Sequence, residues 1–353
     1  MPGVVPVQRH GNGVGMAEIP LVRVRYADSF AQVLNQIGAP TERLLNQVNL
    51  SEQMLSVPDG YMTVDRLWEF TALATRYSGM PDIGLAAGLT PLERHSRFGR
   101  NLLLAPTLYQ AITRFRAEAR EELTNADFRI FRQQDRVWFC GGSVEGAEEE
   151  VQQVELYRIA MMVQVIRWAA GPRWKPKHLR MQSHDARHLR DTELVSNTNI
   201  QAGCTQAAVG FPAKLLSQPL KSAIKTSEKS GEGSGLFPKL ECEINFQRSV
   251  KEVIRTHILA NHGSISDVSQ SLSMPVRTLQ RHLTESGQTF SQLVDQCRME
   301  AAVTMLEETD MPISHIATAL GYSEPSHFTR SFRRITGTNP SLHRKGSSVA
   351  PNG

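Results

Sequence analysis

No stretch of this 353-residue chain approaches the run of about eighteen apolar residues that crosses a bilayer. The opening residues, MPGVVPVQRHGNGVGM, also lack the apolar core of a secretory signal. A cytoplasmic protein with no membrane partner is therefore expected. Cysteine is scarce: Cys140, Cys204, Cys242 and Cys297 are scattered, with no two in CxxC spacing. That excludes a disulfide-stapled scaffold and the common zinc modules, and the four are expected to be reduced. GxSxG, the P-loop, GxGxxG after a strand and a Cys–His arrangement are all missing, so the familiar nucleophilic, phosphate-binding and dinucleotide-binding chemistries have no starting point. No catalytic residue, cofactor or metal is expected, and the chain is not expected to be an enzyme.

One pair runs against that expectation. His184 and His188 stand four apart, and on a helix they would share one face and could hold zinc. A metal-dependent hydrolase domain fused to a DNA-binding module is the alternative this pair raises. Asp185 stands where such a site wants glutamate, a third ligand is lacking, and the flanks read as a strand end entering a turn.

A surplus of positive charge is also largely missing. The whole chain carries +4, and residues 241–353 hold eleven Lys plus Arg against eleven Asp plus Glu. Any case for nucleic acid must rest on where the charges sit.

What is present divides the chain. The stretch QPLKSAIKTSEKSGEGSGLFPK, residues 218–239, is dominated by Gly, Ser, Lys and Glu and reads as a flexible linker. The expected organisation is a flexible tail over 1–20, a first domain over 21–220, a linker over 221–240, a second domain over 241–345 and a second flexible tail over 346–353. The first block is mixed α+β. TVDRLWEFTALATRYSG has helical spacing after Thr63, a predicted N-cap, and PTLYQAITRFRAEAREEL repeats the pattern from Pro106, expected in a first helical turn. DFRIFRQQDRVWFCGGS alternates around Gln134 and Asp135 as a hairpin does, and a long helix is predicted from Glu148 to Ala170, with Met161, Met162, Val165 and Trp168 as core.

The second block is all-α and contains one element twice, over about 265–286 and 313–336. In the downstream copy, Ile313, Ile316, Ala317 and Leu320 form the apolar face of a short helix, and Gly321 permits the left-handed backbone that ends it. Phe328, Phe332 and Ile335 are expected to bury the helix that follows, leaving its arginines unpaired. Upstream, Ile265, Val268 and Leu272, then Leu279 and Leu283, do the same. Aligning TLQRHL with HFTRSF gives a period of 49 residues. Each copy is a helix-turn-helix. Between them FSQLVDQCRMEAAVTMLEET has neither proline nor glycine and is predicted to be one linker helix, about 30 Å long at roughly 1.5 Å per residue. Successive major-groove faces of B-DNA recur about every 34 Å, so a rod of that length suits two adjacent major grooves of double-stranded DNA.

These residues resemble the AraC/XylS transcriptional regulators, over residues 249–344 and above all in GYSEPSHFTRSFRRITGTNPSLHR. Residues 21–220, through GAPTERLL, PDIGLAAG, APTLYQAI and VGFPAKLLSQPL, resemble the arabinose-binding-type N-terminal domain of the ornithine-utilisation-regulator subgroup. The sugar-binding members carry a cupin-like β-barrel, which nothing here predicts, so arabinose is not the expected ligand. The resemblance implies a bacterial regulator, an activator, with an N-terminal domain that senses a small-molecule effector or dimerises, and with a homodimeric state and RNA polymerase among its partners. A ligand-independent dimeric regulator is the other reading within the family. Base contacts are expected from Arg277, Thr278, Gln280 and Arg281 in one groove and from Ser326, His327, Thr329 and Arg330 in the next, since arginine pairs bidentately with guanine and glutamine with adenine. Arg333, Arg334, Arg344 and Lys345 are expected to hold phosphates. No effector-binding residue can be named from the sequence.

Overall fold

The computed structural model describes residues 18–57, 59–92, 97–144, 146, 148–190, 192–221, 245–260 and 263–347. Residues 222–240 of the expected linker, most of both expected tails and Cys242 lie outside the described residues. Two cores form, one per half, and a two-stranded ribbon stands between them.

That ribbon pairs β1 (Leu21–Arg23) with β2 (Tyr61–Thr63), antiparallel, with Leu21 opposite Thr63 and Val22 opposite Met62. Between the two strands run α1 (Arg25–Gln36), α2 (Thr41–Gln47) and α3 (Glu52–Leu55). After β2 the chain enters α4 (Val64–Ser78), α5 (Ile83–Gly88), α6 (Arg97–Leu103) and α7 (Leu108–Glu122). The hairpin of β3 (Phe128–Gln133) and β4 (Arg136–Gly141) and the long α8 (Glu148–Ala170) follow. β5 (His178–Arg180), the short α9 (Arg187–Arg190), β6 (Asn199–Gln201) and β7 (Ala208–Pro212) complete this half. The five-stranded sheet is open, in the order β3-β4-β7-β5-β6, and only β5 and β6 run parallel. It is not a closed barrel among the described residues.

Period-two alternation explains the sheet's two faces. Along β4, Val137 and Phe139 enter the main core, while Trp138 and Cys140 form a small cluster with Ala208 on the other side. The indole of Trp138 is covered there by Arg180, 4.1 Å from its ring centroid, and by Arg136 at 5.5 Å. The long α8 is almost wholly interior: Met161, Met162, Val165 and Trp168 are all buried. Its backbone touches α5 at Gly84 and Gly88, one helical turn apart, where a Cβ would collide with the Gln153 and Tyr157 carbonyls. The PDIGLAAG stretch therefore carries glycine where two helices meet backbone to backbone.

Three local expectations change in the folded chain. Pro106 is not in the first turn of α7; Thr107 is the N-cap, its hydroxyl accepting from Gln110 N, and Pro106 precedes it. Thr63 does occupy the N-cap position of α4, yet its hydroxyl makes no cap and donates to the Ser271 carbonyl in the other half at 3.1 Å. His184 and His188 do not share a helix face, because α9 begins only at Arg187; the exposed His184 ring lies 3.5 Å from Glu148.

The C-terminal half is all helix: α10 (Phe246–Leu259), α11 (Ile265–Ser271), α12 (Val276–Glu285), α13 (Phe290–Glu308), α14 (Ile313–Ala319), α15 (Pro325–Thr336) and α16 (Pro340–Ser347). The ribbon is shared between the halves. Val22 and Met62 belong to the N-terminal core, whereas Leu21 (0% exposed) and Tyr61 (3%) belong to the C-terminal one. Tyr61 N donates to Thr256 Oγ1 at 2.7 Å, Ser249 Oγ donates to the Ile19 carbonyl at 2.9 Å, and Arg66 donates to the Gln270 carbonyl. The Arg23 guanidinium lies 4.0 Å over the Tyr61 ring. Within the C-terminal half, α10 is tied to α13 by ion pairs around the buried Arg255: Arg255 bridges Glu252 and the partly exposed Glu300, and Lys251 Nζ reaches Glu300 at 2.5 Å.

Because Tyr61 fills the second core from the first domain, Tyr61→Ala is expected to destabilise the whole chain by about 3–5 kcal/mol in urea melts. A loss under about 1 kcal/mol, that of an average substitution, would show that the cores stand independently. A second test uses pH. Burial alone would raise the Glu300 carboxyl, but hydrogen bonds from Lys251 and Arg255 more than offset this and hold it below the usual carboxylate range. A depressed folded pKa means stability that is present above the unfolded value and lost as pH falls through the folded one. Glu300→Gln is expected to cost about 1–2 kcal/mol at neutral pH, discounted for partial exposure, with the gap from wild type closing below about pH 4. A gap that is independent of pH would contradict the assignment.

Candidate nucleic-acid interface

Both helix-turn-helix units are present. In the first, α11 opens with a capping box in which Ser264 accepts from Asp267 N while the Asp267 carboxylate accepts from Ser264 N. Val268 and Leu272 bury this helix, Leu279 and Leu283 bury α12, and Ser273 in the turn adopts a left-handed φ of +51°. In the second unit Ile316, Ala317 and Leu320 bury α14, and Phe328 and Phe332 bury α15. Gly321, at φ +77°, ends α14, and Tyr322 plugs the corner with its ring 5.5 Å from Phe328. Tyr322 in turn takes the Arg298 guanidinium of α13 on its face at 5.1 Å.

The repeat is not uniform. The buried residues of the second helices, Leu279 and Leu283 against Phe328 and Phe332, recur at 49 residues; those of the first helices, Val268 and Leu272 against Ile316 and Leu320, recur at 48. The extra residue falls in the turn, which has four residues (272–275) in the first unit and five (320–324) in the second. The Gly321 and Tyr322 corner absorbs it.

Of the residues expected to meet bases, Arg277, Gln280 and Arg281 are exposed on α12, and Ser326, His327 and Arg330 are exposed on α15. Thr278 and Thr329 are half-buried, and the Thr329 hydroxyl donates back to the Pro325 carbonyl at 3.0 Å. Arg281 faces Glu285 at 3.7 Å on its own helix. Arg277, Arg330 and Arg333 make no ion pair among the described residues. His327, Arg330, Ser331 and Arg334 line a shallow hollow on α15.

The expectation that all the arginines of the opposite face lack partners does not hold. Arg334 Nη2 lies 3.2 Å from Asp295 of α13. Arg344 sits on α16, a helix not read from the sequence, and its guanidinium donates to the carbonyls of Leu306 at 3.4 Å and Met311 at 2.6 Å. His343 of the same helix packs on Phe332 and meets Glu307 at 2.9 Å. Lys345 is also engaged within the fold. Proline at the first position of α16 was the available sign of this helix. Ile335, expected in the core, is 46% exposed: it shares the face of Phe328, seven residues earlier, but stands in the last turn of α15, beyond the buried Phe332.

α13 is more than a spacer. It is capped by a box between Thr289 and Gln292, runs about 28 Å over its 19 residues, and buries Leu293, Cys297, Ala301, Ala302 and Met305 between the two units.

Comparison with known proteins settles the family. Residues 38–220, more than half of the chain, match the arabinose-binding N-terminal domain of AraC transcription regulators, and residues 268–346 match a helix-turn-helix domain. The chain belongs to the AraC family of transcription regulators. Relatives in this family include the ornithine utilization regulator of Pseudomonas aeruginosa, 25% identical over 92% of this chain and 96% of its own length. The transcriptional activator NphR of a Rhodococcus species is 31% identical over 27% of this chain and 29% of its own. Among solved structures, the transcriptional regulator CdpR of Pseudomonas aeruginosa matches 86% of this chain and 97% of its own at 19% identity, with a TM-score of 0.36. This AraC-family chain is a transcription regulator, not an enzyme, and among its described residues no helix is long and apolar enough to cross a membrane.

Sequence reasoning missed the contacts by which the N-terminal domain of this AraC-family protein grips its first helix-turn-helix unit. Thr63 and Arg66 hold the carbonyls of Ser271 and Gln270 at the end of α11. These partners are separated by more than two hundred residues, beyond the reach of any local pattern.

The corner of the second unit can be tested. A Cβ on Gly321 would find only Arg298 Nη2, at 3.6 Å, so space is available and the cost is purely conformational. Gly321→Ala is expected to lower stability by about 1–2 kcal/mol and Gly321→Asn by less, because asparagine tolerates the left-handed region. Equal losses in urea melts would show that packing, not φ, governs this position.

Proposed function

We propose that the protein regulates transcription by laying α12 and α15 into successive major grooves of one DNA duplex. The observation that carries this reading is the pair of recognition helices on one buried rod, each with arginine left uncommitted on its free face: Arg277 on α12, Arg330 and Arg333 on α15. Exposed guanidiniums without acidic partners suit guanine edges and phosphates. Arg277, Thr278, Gln280 and Arg281 read one groove, and Ser326, His327, Thr329 and Arg330 read the next. Arg333 and Arg334 hold phosphates where α15 leaves the groove, Arg334 exchanging Asp295 for the backbone. Arg344 and Lys345 lie on α16, whose first task is to close the second unit against α13.

The protein acts as an activator, a reading supported by the activator named among its partial relatives, and it works as a homodimer in contact with RNA polymerase. Its N-terminal half responds to a small-molecule effector. The grip of that half on α11 supports this choice over a domain that only dimerises, since dimerisation alone gives no reason to hold the first unit.

Readout and attraction are separable. Arg330→Ala is expected to cost about 1–3 kcal/mol on the specific site and to relax preference at one base pair, while hardly changing affinity for scrambled DNA. Arg334→Ala is expected to weaken both duplexes alike, with a salt slope shallower by up to about one unit, less if Asp295 keeps a share of the charge. Titrations of both duplexes across salt concentrations decide the matter, and an equal loss for Arg330→Ala on both would make that residue a phosphate clamp.

A further inference from the structure

A cavity of about 1420 Å³ lies in the N-terminal half and extends to Ser273 in the turn of the first helix-turn-helix unit. Small-molecule sites commonly occupy about 300–1,000 Å³, so there is ample room for a ligand. Its walls are aromatic, with Tyr26, Phe30, Phe98, Phe115, Phe128 and Tyr157 around it. Several of these rings already pack edge to face, Phe115 against Phe98 at 5.1 Å and against Phe128 at 4.8 Å, so the walls are formed in advance.

Among the described residues that line it, Arg158 is the one cation. Arg158 of α8 lines the cavity, and its Nη1 donates to the Gly142 carbonyl at 2.9 Å. No carboxylate among the described residues comes within ion-pair distance of it. Glu155, on the same helix, is felt electrostatically but spends one oxygen on Ser183, at 2.6 Å to the hydroxyl and 3.1 Å to the amide, and the other on the Gln182 amide. Three carboxylates also line the cavity: Asp127 pairs outward with Arg129 at 2.8 Å, Glu69 pairs with Arg66 at 2.6 Å, and Asp65 stands with Glu69 on α4, away from Arg158 on α8. Burial pushes the Arg158 guanidinium down to about 10, as expected for a cation removed from water without a full counter-charge. A guanidinium beside an apolar wall is completed by a planar anion that it can hold through two hydrogen bonds.

The far end of the same cavity touches the machinery that grips DNA. Val64, Leu67 and Trp68 of α4 line it, and Thr63 and Arg66 beside them hold the Ser271 and Gln270 carbonyls. Pro20 and Val22 line it from β1, the strand whose Leu21 fills the C-terminal core.

Resting on the reading that the N-terminal half senses an effector, we propose that this cavity binds a monocarboxylate with an apolar body, the carboxylate on Arg158 and the body along the aromatic walls, and that occupancy is passed to the first helix-turn-helix unit through β1 and α4. Ligand and DNA must then shift each other's affinity by one common factor.

The test uses the full-length protein and calorimetric titration with decanoate and phenylacetate, each beside its alcohol, decanol and phenethyl alcohol. At least one acid is expected to bind about tenfold or more tightly than its alcohol, the scale of a charge-assisted pair, and Arg158→Gln is expected to abolish that preference. Should Arg158→Gln fail to fold by circular dichroism, Ser143→Trp, which fills the cavity beside Gly142, is expected to remove acid binding. Acids that bind no better than their alcohols, that do not bind, or that keep their preference in the variants overturn the site. The same samples are titrated with a duplex selected in vitro by the wild-type protein. An acid that binds at Arg158 and leaves DNA affinity unchanged overturns the transmission. Failure to select or bind any duplex while acid binding persists sinks the DNA reading and leaves the cavity assignment standing.

Discussion

A strand of three residues has to serve two hydrophobic cores, and the arrangement of the molecule follows from that requirement. Adjacent residues of a strand point to opposite faces. Leu21 can therefore fill the C-terminal core only if Val22 fills the N-terminal one, and the same alternation sets Tyr61 against Met62 across the ribbon. The pairing leaves little freedom between the halves. It also dictates which part of the DNA-binding domain the sensor meets, because α10 and the end of α11 are the elements against which the ribbon lies.

The two recognition units are consequently unequal. The first is held on one side by the N-terminal half and on the other by α13, with Arg255, Glu300 and Lys251 bonding α10 to that rod. The second is held by α13 and α16, through Arg298 against Tyr322 and Arg344 against the Leu306 and Met311 carbonyls. Their charge differs as well. At the position where α15 carries Arg334, α12 carries Glu285, which faces Arg281 on its own helix. The acid nearest the arginines of the first unit thus lies on α12 itself, whereas in the second unit it is Asp295 of α13 that faces Arg334.

Much of this was legible in the sequence wherever the signal was local. The helix-turn-helix pair, the α8 boundaries, the hairpin at Gln134 and the position of Thr63 ahead of α4 all follow from spacing, turn residues and caps. The residues exposed on α12 and α15 followed from the same periodicity. What escaped was decided across distance. The hydroxyl of Thr63 leaves its own helix for Ser271, Arg334 finds Asp295 on a helix 39 residues earlier, and Ile335 is left exposed in the last turn of α15 although its spacing matches that of Phe328 and Phe332. The aromatic cavity was invisible for the same reason. Tyr26, Phe98, Phe128 and Tyr157 belong to four different elements, and each on its own reads as ordinary core.

The shared ribbon also bears on how such proteins can be recombined. The stretch around residues 222–244 invites a crossover, since it is polar, glycine-rich and tempting as a boundary between modules. A chimera joined there would take Leu21 and Tyr61 from one parent and their neighbours Phe246, Val250 and Val253 from the other. The inherited unit is thus larger than either domain. It is the C-terminal half together with two strands that the gene encodes some two hundred residues earlier, and exchanges that respect the family boundary without the ribbon would assemble a core from mismatched halves.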